Sequence, residues 1–240
     1  MSIVRLSENS MTASVGGELS DPSASHAVAR NTAPAARSPL AGAISLVGGL
    51  TGLLAHNGLL NGNLRTVIEG QVYRSAQLSP RKLNGVLRRY GIRTVISLRG
   101  GDEGDDWFRD QAAVCAAQQV RLERISLTAM RLPRPGHIKK LIRFFDEAEH
   151  PLLFHCRGGA DRSGLAATIY LHLYAGLSLD EAQRQGLTWK YGHLPLQAAA
   201  MDEFFDLYRA ESGGLSLREW VMREYPALFH REMQKAANQR

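Results

Sequence analysis

The stretch Phe154 to Gly164, FHCRGGADRSG, gathers a thiol, two guanidiniums, a carboxylate, a hydroxyl and three glycines into eleven residues. Cys156 is one of two cysteines in the chain, the other being Cys115. It stands where the apolar run Pro151 to His155 hands over to a helical pattern, and the N-terminus of a helix favours the thiolate. Residues Arg157 to Asp161 lie between it and Arg162. A loop of that size can curl until its backbone N–H groups point inward and form an anion nest. Gly158 and Gly159 allow the dihedrals such a curl needs. The positive end of the following helix adds to the same field. The chemistry this predicts is nucleophilic attack by Cys156 on an anion held in the nest. Arg162 can fork two oxygens of a phosphate and stays cationic at any working pH. Ser163 is placed to hydrogen-bond the sulfur and help it leave. Arg157, Gly158, Gly159, Ala160 and Gly164 complete the cradle as binding residues.

Such a loop needs a strand to end on and a helix to start. The β-rich runs Arg93 to Leu98, Val120 to Leu127 and Pro151 to His155 read as strands. Ser79-Pro80 reads as an N-cap followed by proline at the first helical position, with Leu83, Val86, Leu87 and Tyr90 on one face. Asp105 to Gln118 and the face Ile138, Leu141, Ile142, Phe145 predict two further helices. Ser163 to Ala175 is apolar nearly all round, which predicts a central buried helix ending near Gly176. Ser178 with Glu181, and Ser216 with Glu219, are capping boxes opening two later helices. Strands alternating with helices imply an α/β fold, a mostly parallel central sheet flanked by helices.

The chain has 240 residues, a formal net charge of +6 and 44% hydrophobic residues, which suits a folded domain with extensions. The first 39 residues balance Arg5, Arg30 and Arg37 against Glu8, Glu18 and Asp21, so the positive excess lies beyond them. That excess favours anionic ligands or an anionic membrane surface and is too small to argue for nucleic acid. Two cysteines make no disulfide framework, and no clustered His/Cys spacing suggests a metal. Residues 1–39 read as a disordered tail. The stretch 40–60 is apolar and uncharged, and reads either as a single membrane anchor or as an Ala/Gly-rich linker or surface helix. The expectation is membrane association through that segment, with a soluble cytoplasmic chain as the alternative. The folded domain is expected over 67–240.

HCRGGADRSG resembles the H-C-x5-R-[ST]-G signature of the cysteine-dependent protein tyrosine phosphatase superfamily. Its G-x-D-R-[ST]-G ending, VYRSAQLSP (72–80), RTVISLRG (93–100) and KYGHLP (190–195) are similar to a bacterial dual-specificity-like group. The resemblance covers roughly residues 67–225. It implies a dual-specificity-phosphatase-like fold and hydrolysis of a phosphate monoester through a phospho-cysteine intermediate, without metal or cofactor. Cys156 would be the nucleophile, Arg162 the phosphate clamp and Ser163 the thiolate stabiliser. Members of this group often carry an N-terminal hydrophobic anchor.

The proton donor departs from the commoner pattern. Most of the superfamily takes an aspartate from a loop before the signature strand, whereas Leu127 to Gly136 holds no acid here. Some bacterial relatives use the aspartate directly before the signature arginine, which is Asp161; the alternative is that Asp161 only shapes the loop. Asp106 and Glu123 are outside candidates. Arg131 and Arg134 read either as a second anion site or as a solvated basic loop. Cys115 reads as a packed core thiol, and His193 as a loop or capping histidine. Trp107, Trp189 and Trp220 read as core or interface aromatics. The expected substrate is a phosphotyrosine or phosphoserine/threonine protein. The rival is a phosphoinositide or other lipid phosphate, motivated by the candidate anchor, the basic loop and the small residues of the nest. Catalytically dead phosphate binding and sulfur transfer are the weaker alternatives.

Overall fold

The computed structural model describes residues 62–238. The expected tail at 1–39 and the apolar segment at 40–60 lie outside the described residues. Among the described residues, no helix is long and apolar enough to cross a membrane.

Five strands form one sheet: β1 (Arg65–Ile68), β2 (Val72–Ser75), β3 (Thr94–Ser97), β4 (Arg121–Arg124) and β5 (Leu152–His155), in the order β1-β2-β5-β3-β4. β1 and β2 are an antiparallel hairpin; every other neighbouring pair is parallel. The fold is therefore α/β with a mostly parallel sheet, as the alternation of strands and helices requires. The described structure already includes residues before Val67: β1 starts at Arg65 and Asn63 is buried.

Eight helices are described: α1 (Pro80–Tyr90), α2 (Asp106–Ala117), α3 (Pro135–Glu147), α4 (Asp161–Leu173), α5 (Leu179–Gly186), α6 (Pro195–Glu211), α7 (Leu217–Arg223) and α8 (Tyr225–Asn238). The period-2 alternation of the central strands sorts their side chains between two faces. Tyr73, Val95 and Leu153 pack with Leu83 and Leu87 of α1 and Cys115 of α2. Val72, Ile96, Leu152 and Phe154 pack with Ile138, Leu141 and Phe145 of α3 and Leu165 and Ile169 of α4. β5 is central, so all four of its residues are buried.

The helix signals in the sequence hold. The Ser79 hydroxyl accepts from the Lys82 N–H, and both capping boxes form, at Ser178/Glu181 and Ser216/Glu219. Each such cap contributes about 1 kcal/mol. α4 is buried from Ser163 to Leu171 and begins at Asp161, two residues earlier than its hydrophobic run suggests. Its first turn thus includes Asp161 and Arg162.

Candidate active site

β5 ends between β2 and β3. The Cys156 N–H donates to Ser75 O at 3.3 Å, and the Leu98 N–H donates to His155 O at 2.8 Å. The chain then turns through Arg157 to Ala160 into α4. Cys156 is 2% exposed, and its Sγ accepts the Gly159 N–H at 3.2 Å. This places the sulfur under the loop and at the start of α4, where the helix dipole is positive.

Two side chains far away in sequence hold the outside of the loop. Asn63 Nδ2 donates to Gly158 O and Gly159 O, each at 3.1 Å, and to Tyr191 O at 2.8 Å. Arg74 Nη2 donates to Gly159 O at 3.0 Å and Ala160 O at 2.8 Å, while Nη1 donates to Gly186 O at 2.6 Å. In a trans peptide the carbonyl and the next N–H point in opposite directions. Drawing the carbonyls of 158, 159 and 160 outward therefore turns the N–H groups of 159, 160 and 161 inward. The nest expected from the glycines is thus built mainly by these two outer side chains. Arg74 is fully buried; burial lowers its guanidinium to about 10, opposed first by the nearby Cys156 sulfur.

Only one of the paired glycines needs its special freedom. Gly159 has φ +68°, and a Cβ there would lie 2.5 Å from Ala76 N; Gly158 has open space around it. At Gly164 a Cβ would meet Leu187 Cδ2 at 2.6 Å and Gly186 O at 2.9 Å, so the glycine lets α4 and α5 approach closely.

The first turn of α4 carries the remaining charged groups. Arg162 Nη1 donates to Leu127 O at 3.2 Å, which steadies the guanidinium from the loop after β4. Asp161 Oδ1 lies 2.8 Å from His193 Nδ1, and His193 Nε2 lies 2.8 Å from Asp202 Oδ2. The His193 side chain is only 2% exposed. Burial alone would lower its basicity, but the two carboxylates outweigh this and raise it. Ser163 is fully buried, and among the described residues its hydroxyl has no hydrogen-bond partner. The sulfur takes its hydrogen bond from Gly159 instead of the expected Ser163. Arg157 is exposed at the lip of the loop.

His155, directly before the cysteine, is 2% exposed. Burial pushes its imidazole down to about 4, with Arg99 and Arg162 acting in the same direction. The outside candidates for proton transfer sit elsewhere: exposed Asp106 pairs with Arg109, and Glu123 pairs with Arg121 at 2.7 Å. Cys115 is buried among apolar side chains, which pushes its thiol up to about 11. Arg131 and Arg134 are exposed, while Leu132 between them is buried and Tyr225 Oη donates to Pro133 O at 2.6 Å. Trp220 is core, Trp107 lies under the Arg99 guanidinium at 3.9 Å, and Trp189 is 66% exposed.

Asn63, Arg74, His193 and Asp202 went unassigned to the site in the sequence reading. Arg74 left one signal, a charge inside a strand whose other residues have every reason to be buried. His193 stands in the KYGHLP stretch that carries part of the resemblance, but its relation to Asp161, and the place of Asp202, exist only once α6 is packed.

The sequence model described as "Tyrosine phosphatase family" matches residues 57–183. Among solved structures, TpbA of P. aeruginosa is 23% identical, covering 60% of this chain and 83% of that one, with a TM-score of 0.49. Tk-PTP in its active form is 22% identical, over 60% and 97%, with a TM-score of 0.47. The core catalytic domain of the PP-IP phosphatase SIW14 from S. cerevisiae is 15% identical, over 62% and 87%, with a TM-score of 0.48. No curated protein sequence matches.

Proposed function

Because this chain belongs to the tyrosine phosphatase family and is a cysteine-based phosphatase, we propose that it hydrolyses phosphotyrosine and phosphoserine/threonine in proteins through a phospho-cysteine intermediate. The observation that carries this reading is the Gly159 N–H on Cys156 Sγ at 3.2 Å, in a loop whose carbonyls are drawn outward by Asn63 and Arg74. Inward N–H groups hold the three non-bridging oxygens of a phosphate above the sulfur, and their charge is stabilised most as it grows in the transition state.

In the first step Sγ attacks phosphorus. The Sγ–P bond forms, the ester P–O bond breaks, and the leaving oxygen takes a proton from Asp161. Arg162 forks two phosphate oxygens. In the second step water attacks phosphorus, the S–P bond breaks, and the water gives its proton back to Asp161. Inorganic phosphate and the thiolate are released. Arg157, Gly158, Gly159, Ala160 and Gly164 shape the cradle. Ser163 serves the thiolate by turning its otherwise unpaired hydroxyl toward the sulfur.

A lipid phosphate is the second reading. It is supported by a cleft of about 580 Å³ lined by Arg99, Arg124, His137 and Lys140 together with Asp102 and Asp105. Arg99 follows directly on the strand end that bonds His155, so the cleft adjoins the loop. In the same reading, residues 40–60 anchor the chain, with 1–39 as tail and the phosphatase domain following. Phosphopeptides and short-chain phosphoinositides assayed side by side decide between the substrates. Protein substrate is upheld by kcat/KM higher on the peptides, and overturned by a preference for the lipids that is lost on Arg99→Ala.

A further inference from the structure

Asp161, His193 and Asp202 form one hydrogen-bonded line across three parts of the fold: the first turn of α4, the segment after α5, and α6. Both contacts are 2.8 Å, and the ring between them is buried while the two carboxylates are partly exposed. A carboxylate only accepts hydrogen bonds. Two carboxylates facing both nitrogens of one imidazole therefore require either a doubly protonated ring or a proton on one carboxyl group. His193 and Asp202 both lie beyond the residues 57–183 matched by the family.

We propose that His193 is a positioning residue for this phosphatase: braced at Nε2 by Asp202, it holds Asp161 at Oδ1 so that the other carboxyl oxygen is directed at the leaving group. This rests on Asp161 being the proton donor. Oδ1 is the only atom of Asp161 engaged by another side chain among the described residues, so its second oxygen remains available to substrate. When that oxygen gives its proton to the departing ester oxygen, the P–O bond breaks and the Sγ–P bond forms. The carboxylate left behind is met by the Nδ1–H of His193. His193 keeps both its protons through this step and through the second, in which Asp161 takes a proton from the attacking water. Asp202 balances the charge of the ring and fixes its tilt. Partly exposed Asp161 at a helix start would otherwise sample several rotamers, and a proton donor must lie within hydrogen-bond reach of the leaving atom.

The test uses the two amides that mimic one ring nitrogen each. In His193→Asn the amide nitrogen sits near Nδ1 and can still donate to Asp161; in His193→Gln it reaches toward Asp202 and leaves Asp161 unheld. The quantity measured is kcat/KM, which excludes the hydrolysis step common to all substrates, on an alkyl phosphate, which needs a proton at its leaving oxygen, and on p-nitrophenyl phosphate, which does not. With Asp161→Asn the alkyl substrate should slow by roughly 10²-fold and the aryl substrate little. His193→Gln should slow the alkyl substrate about tenfold with the aryl rate within about twofold, and His193→Asn should recover most of that loss. In the Asp161→Asn background, His193→Gln should add nothing, because it acts through the missing group. Equal slowing of both substrates by His193→Gln, or no slowing, overturns the role of His193 while a selective Asp161→Asn effect keeps the donor. If Asp161→Asn itself shows no selectivity, the donor assignment falls and this inference with it. Melting temperatures of all variants are recorded, and Asp202→Asn, which leaves the Asp161 contact in place, repeats the test should His193→Gln fail to fold; its loss must again be selective for the alkyl substrate.

Discussion

Arg74 of β2 holds Ala160 at the start of α4: its Nη2 donates to the Ala160 carbonyl at 2.8 Å, across 86 positions of sequence. The same guanidinium reaches Gly159 and Gly186, so one buried cation fixes the back of the phosphate loop and the end of α5. Arg74→Met removes all three bonds and leaves the carbonyls buried. The variant should lose about 3 kcal/mol or more in denaturant unfolding. Turnover of p-nitrophenyl phosphate at temperatures where it stays folded should fall on the order of 10²-fold, as for loss of a transition-state hydrogen-bond donor. Arg74→Lys supplies charge without the fork and should recover little.

Cys156→Ser should melt like the native protein, since the sulfur is buried and carries a single loop hydrogen bond. Its turnover should drop by roughly 10⁴-fold or more, because the proposed mechanism loses its nucleophile. Iodoacetamide should label Cys156 ahead of Cys115, whose thiol burial pushes up to about 11. Peptide mass spectrometry after a short exposure at neutral pH reads the order directly, and preferential labelling of Cys115 would contradict it.

Arg162→Lys keeps a charge at the first turn of α4 but loses the planar fork. The contact to Leu127 O at 3.2 Å is also lost, so the group no longer stands ready over the loop. The expected loss in kcat/KM is on the order of 10²-fold, with vanadate or phosphate inhibition weakened in parallel. A rate near native would show that bidentate contact is unnecessary.

His155 makes stability pH-dependent in a defined direction. Burial lowers its folded-state value to about 4 from 6.5. Between those values the unfolded chain binds a proton that the folded chain refuses. The contribution is complete above pH 6.5 and is lost as pH falls toward 4, by about 3 kcal/mol in all. His193 acts oppositely: its folded value is raised, so its contribution is present at low pH and is lost as pH climbs through that value. Unfolding free energies of native protein and His155→Gln between pH 7 and 4.5 isolate the first effect. The native curve should fall more steeply; parallel curves would refute the assignment.

Most of the fold was legible because its signals are local. Ser79, Ser178 and Ser216 cap helices using atoms three residues away, and the period of Leu83 and Leu87 reports a face that any core would cover. The loop from Cys156 into α4 was legible for the same reason, since strand end, glycine and helix start are contiguous. What positions it was not. Asn63 and Arg74 act from 86 and more positions away in sequence, and His193 acts through a helix packing that no spacing encodes. Ser163 shows a different limit. A hydroxyl beside the loop suggests a bond to sulfur, but spacing does not show that the Gly159 backbone N–H is the donor already on it. Gly158 and Gly159 look alike in sequence, and only the approach of Ala76 N separates them.

The reach of Arg74 also sets an order of events at the ribosome. The strand bearing it emerges early, while its acceptors at 159, 160 and 186 are 85 to 112 positions behind. Until those residues leave the exit tunnel the cation has water as its partner, and burying it alone would be unfavourable. β2 therefore commits to the interior only when β5, the loop and α5 can close over it together, a late step governed by contacts distant in sequence. A nascent chain stopped before Gly186 carries the whole FHCRGGADRSG stretch without the brace that turns its amides inward. On the proposed mechanism, turnover of a phosphate ester waits for α5 even though every residue that would touch the phosphate is already made.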